Sequence, residues 1–159
     1  MEYITSEKTT NRKLSILKLN EIPSIIEFTT QKFYVVFLVD NLPTLDTDNI
    51  SKFLKKLIDT GMVYLCTWGK HCEQIHDITD QILTLPENQY DKNLHIMTTW
   101  HNDETLADAL WFSIYNSMPD DAFFDDTRDF IAITINDDKS YDIIKKYMGD
   151  LESLKADVL

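Results

Sequence analysis

The stretch Phe33-Tyr34-Val35-Val36-Phe37-Leu38-Val39 is an unbroken apolar and aromatic run that ends on Asp40. A strand with one wet face alternates polar and apolar residues, whereas a short continuous run marks a strand covered on both faces, as in a parallel sheet. Residues 46–61 then fit a helical crossover. Asp46 or Thr47 reads as an N-cap, Ile50, Phe53, Leu54, Leu57 and Ile58 recur at helical spacing, and Gly61 stops the helix.

The cycle repeats outward from there. Met62 to Trp68 reads as a second strand, and Lys70 to Leu85 as a second helix with Cys72, Ile75, Thr79, Ile82 and Leu83 on one side. Pro86 to Lys92 is a loop, and Leu94 to Trp100 a third strand. Asn102 or Asp103 is the expected cap of a third helix, with Asp103 and Glu104 where the helix dipole favours negative charge. Phe130 to Ile135 is a fourth strand, and the helix from about Lys139 carries Ile144, Tyr147, Met148, Leu151 and Leu154 past Gly149. Upstream, Leu14 to Leu19 alternates well enough for an edge strand, Pro23 ends it, and residues 1–30 otherwise read as irregular. Strands alternating with helices in ~30-residue units predict a single α/β domain over residues 1–159. The expected architecture is a three-layer sandwich, with helices on both faces of a mainly parallel sheet of four or five strands.

Composition narrows the function classes. At 159 residues, 43% apolar and 26% charged, the chain can bury a sizeable core. No apolar stretch approaches the ~20 residues of a membrane span, and Met1 to Arg12 lacks the apolar core of a signal peptide. With Cys66 and Cys72 the only cysteines, a reducing cytoplasm is the expected compartment. A formal charge of −12 repels nucleic acid and acidic membranes and attracts a basic protein. Half of that charge lies between Met118 and Asp138, where seven Asp face one Arg.

Two regions could carry function. The first is the carboxyl end of the sheet, where ligands bind in open parallel folds. Trp68 and Trp100 stand 32 residues apart, each closing an apolar run. If both strands run the same way, Trp68, His71, Trp100, His101 and Asp103 gather on one rim with Asp40, Asn41, Asn136, Asp137 and Asp138. That set suits a small polar ligand or a basic side chain; equally, the indoles anchor packing and the polar residues cap helices. The second is the acidic segment Asp120, Asp121, Phe123, Phe124, Asp125, Asp126, with Trp111 and Tyr115 nearby on the third helix. Rings for buried area and carboxylates for Arg or Lys are the makeup of an interface anchor, and also of a solvated loop whose rings fold back. The third helix has two adjacent apolar stripes (Leu106, Ala109, Leu110, Ile114; and Ala107, Trp111, Tyr115, Met118), so it is either deeply covered or faces a partner, a second copy included.

Specific chemistry is thinly marked. Cys72 and His76 are four apart on one helix, a spacing that allows two metal ligands without matching a zinc motif, and Asp125, Asp126 and Asp129 lack the pattern and glycine of a calcium loop. Cys66 near a strand end invites comparison with a thiolate nucleophile, although an apolar strand more often holds an inert thiol. Glycines only at 61, 69 and 149 leave no phosphate-cradling loop. No catalytic residue, metal or cofactor is assigned.

The strings Leu65-Cys66-Thr67-Trp68-Gly69, with Cys72-Glu73 and His76-Asp77, and Met97-Thr98-Thr99-Trp100-His101-Asn102-Asp103-Glu104, with Ala109-Leu110-Trp111-Phe112, resemble motifs of a small bacterial protein family of unknown function. The resemblance covers roughly Phe33 to Ile135 and implies no activity or ligand. Size, acidity and expected compartment are also similar to those of immunity proteins, which neutralise basic toxin domains; this likeness transfers no residues. The sequence therefore leads to an acidic protein-binding module, an inhibitor of a basic toxin. The alternative is a small-ligand site or enzyme at the strand edge.

Overall fold

The computed structural model describes residues 1–30, 32–91 and 93–159. One sheet organises them, with strands β1 (Glu2–Glu7), β2 (Arg12–Leu19), β3 (Phe33–Asp40), β4 (Met62–Gly69), β5 (Met97–Trp100) and β6 (Thr127–Ile135) in the order β1-β2-β6-β3-β4-β5. Every neighbouring pair is parallel except the antiparallel β1–β2 hairpin. The α/β sandwich with a mainly parallel sheet is thus the observed class, with six strands where four or five were expected. Of residues 1–30, only 20–30 are irregular as expected, because residues 2–7 and 12–19 form β1 and β2. Leu14–Leu19 lies inside the sheet between β1 and β6, and β1 takes the edge.

Helices α1 (Thr47–Asp59) and α2 (Cys72–Thr84) cover one face. Ile50, Phe53, Leu54, Leu57, Ile75 and Ile82 pack there on Val36, Leu38, Leu65, Ile131 and Ile133. The rest of that face is roofed by irregular chain, with Ile22, Ile26 and Phe28 packed on the same cluster and Lys56 donating through Nζ to the Ser24 carbonyl. Helices α3 (Leu106–Tyr115), α5 (Asp138–Gly149) and α6 (Leu151–Asp157) cover the other face. Ala109, Leu110, Ile114, Ile144, Met148 and Leu154 meet Leu14, Ile16, Val35, Phe37, Val39 and Phe130 there. β3 buries both faces, as its unbroken apolar run requires.

Caps set the helix ends. The Asp46 carboxylate accepts from the Asn49 N–H, as expected. α3 begins at Thr105, whose hydroxyl accepts from the Asp108 N–H, rather than at Asn102 or Asp103. The last helix does not run through Gly149. Asp150, extended at φ −142°, ends α5 and caps α6 by accepting from the Ser153 N–H. At the other end of α3, buried Arg12 donates from its guanidinium to the Ile114 carbonyl and to both the carbonyl and hydroxyl of Ser117. A cation there satisfies the last carbonyls and opposes the helix dipole.

Candidate functional site

The carboxyl ends of β3, β4, β5 and β6 border a cleft of about 680 Å³, lined by Asp40, Asn41, Trp68, Gly69, Lys70, His101, Asn102, Asp137, Lys139 and Ser140 over an apolar floor of Leu106 and Ile143. The chain turns sharply here. Gly69 has φ +113°, and a Cβ on it would lie 2.3 Å from the Asp40 carbonyl, so only glycine fits beside β3. Lys70 N–H donates to that carbonyl at 2.9 Å.

The fully buried Asp40 carboxylate is the hub of this corner. It accepts from the His71 N–H at 2.9 Å and the Leu42 N–H at 3.3 Å, and its Oδ2 lies 2.6 Å from His71 Nδ1. Leu38 packs against α1 and α2, and Asp40, two residues on, points to that same face, where His71 precedes α2. His71 is therefore behind Asp40 and not among the residues lining the cleft. The pair ties the end of β3 to the start of α2.

Trp68 and Trp100 do not share the rim. Thr67, not Trp68, is level with Trp100 in the β4–β5 ladder, so the two indoles project from opposite faces of the sheet. Trp68 packs on the α3 side and donates its indole N–H to the Glu104 carbonyl at 3.0 Å. Trp100 stacks on His76 of α2 at 4.4 Å between centroids. His101 stays on the Trp68 side, buried against Phe112, with Nδ1 3.0 Å from Glu104 Oε2 and Nε2 3.0 Å from Thr99 Oγ1. Asp103 is exposed in the turn before α3. Elsewhere on the rim, Asp137 caps α5 through Ser140, the Asn136 amide donates to the Asn41 carbonyl, and the Lys70 ammonium donates to the Pro43 carbonyl. The polar groups of this rim are engaged chiefly with one another.

The acidic segment is built differently. Asp120 caps the short helix α4 (Asp121–Phe124) by accepting from the Ala122 N–H at 2.9 Å. Phe123 turns inward and meets Phe33 edge-on at 4.8 Å, while its carbonyl accepts from the Thr127 hydroxyl. Phe124 and Met118 stay half exposed. Asp126 pairs with Lys32 at 2.6 Å; Asp121 and Asp125 are exposed and, among the described contacts, have no partner for their carboxylates. Phe123 also forms a wall of a second pocket, about 510 Å³ and mostly apolar, with Leu83, Tyr90, Leu94 and Ile96.

Trp111 and Tyr115 are not part of that surface. They lean on each other at 5.7 Å within the α3–α5–α6 packing, and Lys155 of α6 lies 5.5 Å over the Tyr115 ring. Burial pushes the Tyr115 phenol up. The broad apolar surface of α3 is largely covered by the sheet, α5 and α6, with Met118 left outside.

Cys66 is buried, and desolvation pushes its thiol up to about 11, the opposite of what a nucleophile needs. Cys72 is buried too, its thiol raised by the same cause. No group of three or more His, Cys, Asp or Glu among the described residues is arranged to hold a metal ion. Sequence reasoning missed Glu104 as the partner of His101, and Arg12 altogether; an i, i+3 acid after a histidine was the available signal for the first.

A parallel α/β sandwich with a cleft at its strand ends is a scaffold shared by binding proteins and enzymes alike. Within that class, this chain belongs to the family described as a domain of unknown function, DUF7684, which matches residues 14–150. The match extends beyond both ends of the Phe33–Ile135 stretch that carried the resemblance. No curated protein matches the chain. No helix is long and apolar enough to cross a membrane among the described residues.

Proposed function

We propose that this chain is an acidic protein-recognition module that binds a basic protein through the α4 flank, and that the partner is a toxin domain it holds inactive in the bacterial cytoplasm. One observation carries the reading. Of two adjacent rings, Phe123 enters the packing while Phe124 stays 50% exposed, beside Met118 and the unengaged carboxylates of Asp121 and Asp125. An exposed ring among unpaired carboxylates contributes little to folding and suits a partner that brings Arg or Lys to an apolar anchor. The net charge of −12 supports fast, salt-sensitive association with such a partner. Size and acidity like those of immunity proteins support the toxin form of the reading. Coexpression with the products of neighbouring genes tests it. A complex that weakens as salt rises from about 0.05 to about 0.3 M, and that is lost in the D121N/D125N variant, is expected. No complex, or one indifferent to both changes, contradicts it.

The cleft at the strand ends supports a second reading, a small polar ligand held near Trp68 and His101, because it is concave and lies where β3 and β6 send their chains to opposite faces. His71, Trp100 and Asp103 are not among the residues that line it. A change in Trp68 emission with a small molecule, in a Trp100→Phe/Trp111→Phe background, would favour this reading.

A further inference from the structure

The two edges of the sheet are finished differently. β1 is protected: its ladder is broken by a bulge between Tyr3 and Thr5, and Glu2 is held by Lys145 at 2.9 Å and by the Tyr141 hydroxyl at 3.3 Å. Bulges and charges are the usual means of stopping an edge from pairing with another chain. β5, at the opposite edge, is Met97-Thr98-Thr99-Trp100, without a charge, a proline or a bulge. Only its shortness restrains it.

The hydrogen-bond phase shows what β5 offers. His101 N–H donates to the Thr67 carbonyl, which places the backbone groups of 97, 99 and 101 toward β4. Thr98 and Trp100 therefore turn N–H and C=O outward, two donors and two acceptors in line. Their side chains project to the α2 side. There Trp100 is 44% exposed, and Thr98 donates to Asp80 at 2.6 Å. Asp80 and Asp77, both next to His76, keep 50% and 63% of their side-chain surface open. An exposed indole beside two exposed carboxylates is matched by an arginine, which stacks on the ring and pairs with the acids. The edge also continues from the α4 flank: Leu94 and Ile96, just before β5, and Phe123 line the same apolar pocket.

We propose that β5 is a docking edge for an extended basic segment of a partner protein, which adds as a seventh strand and seats an arginine on Trp100 between Asp77 and Asp80. The basic character of the partner rests on the function proposed above; the edge geometry does not.

The probe is a short capped peptide alternating arginine with valine, added to the intact chain, with amide exchange followed residue by residue. Slowed exchange at Thr98 and Trp100 is expected, with an affinity that falls roughly three- to fivefold for each of Asp77→Asn and Asp80→Asn, as loss of a partly exposed ion pair implies. A Thr98→Lys variant, which places a charge on the edge and gives up the Thr98–Asp80 hydrogen bond, is expected to abolish binding while keeping a cooperative urea transition close to the parent's. Equal binding of a peptide alternating glutamate with valine overturns the proposal, as does peptide binding that leaves Thr98 and Trp100 unprotected. Protection without peptide that grows with protein concentration also overturns it, because a second copy then occupies the edge. A natural complex lost in D121N/D125N but retained in Thr98→Lys would sink the edge proposal alone and leave the partner reading standing.

Discussion

The rim at the strand ends and the flank at α4 are both rich in carboxylates and rings, yet they use them in opposite ways. On the rim, Asp40 accepts two backbone N–H groups and pairs with a histidine, Asp137 caps a helix, and the Trp68 indole N–H is bonded to a carbonyl. On the flank, Asp121, Asp125, Phe124 and Met118 face solvent without such bonds. Polar groups that satisfy one another build a scaffold, and those left open are available to something outside it.

Substitutions at the two regions should therefore separate stability from recognition. The largest loss is expected for Asp40→Ala. Removing a buried carboxylate strands the Leu42 and His71 N–H groups, at about 3 kcal/mol in urea unfolding. Phe123→Ala should lose about the same, since it opens a cavity against Phe33. A smaller loss of about 2 kcal/mol is expected for Gly69→Ala, where a Cβ meets the Asp40 carbonyl at positive φ. The smallest stability change belongs to the flank. Phe124→Ala should stay within about 0.5 kcal/mol of the parent while weakening the salt-sensitive complex by tenfold or more. If Phe124→Ala costs as much as Phe123→Ala, or Asp40→Ala as little as a surface change, the distinction between the regions fails.

The alternation of buried strands with capped helices was legible because each element carries its own local signal. The run at Phe33–Val39 requires cover on both faces, and Asp46 caps the next helix through a bond three residues long. Strand order was not legible. β6 enters between β2 and β3, a pairing across more than a hundred residues, and turns Leu14–Leu19 from an edge into an interior strand. β1 was missed because an edge strand with exposed polar side chains lacks an apolar pattern. The sharpest difference concerns the tryptophans. Two similar strings, one ending at Trp68 and the other at Trp100, implied a shared rim, but the ladder sets Trp100 beside Thr67. Because side chains alternate, that one-residue offset sends the indoles to opposite faces. In the acidic segment the composition marked the surface, while which phenylalanine turned inward depended on its packing with Phe33.

The most direct test is urea unfolding of the D121N/D125N variant against the parent, since asparagine keeps the size of the two open side chains while removing their charge. The predicted midpoint stays the same or rises, as expected when open carboxylates serve a partner and repel one another in its absence. A fall of about 1 kcal/mol or more would show that these acids hold the fold together, and would contradict their role in recognition.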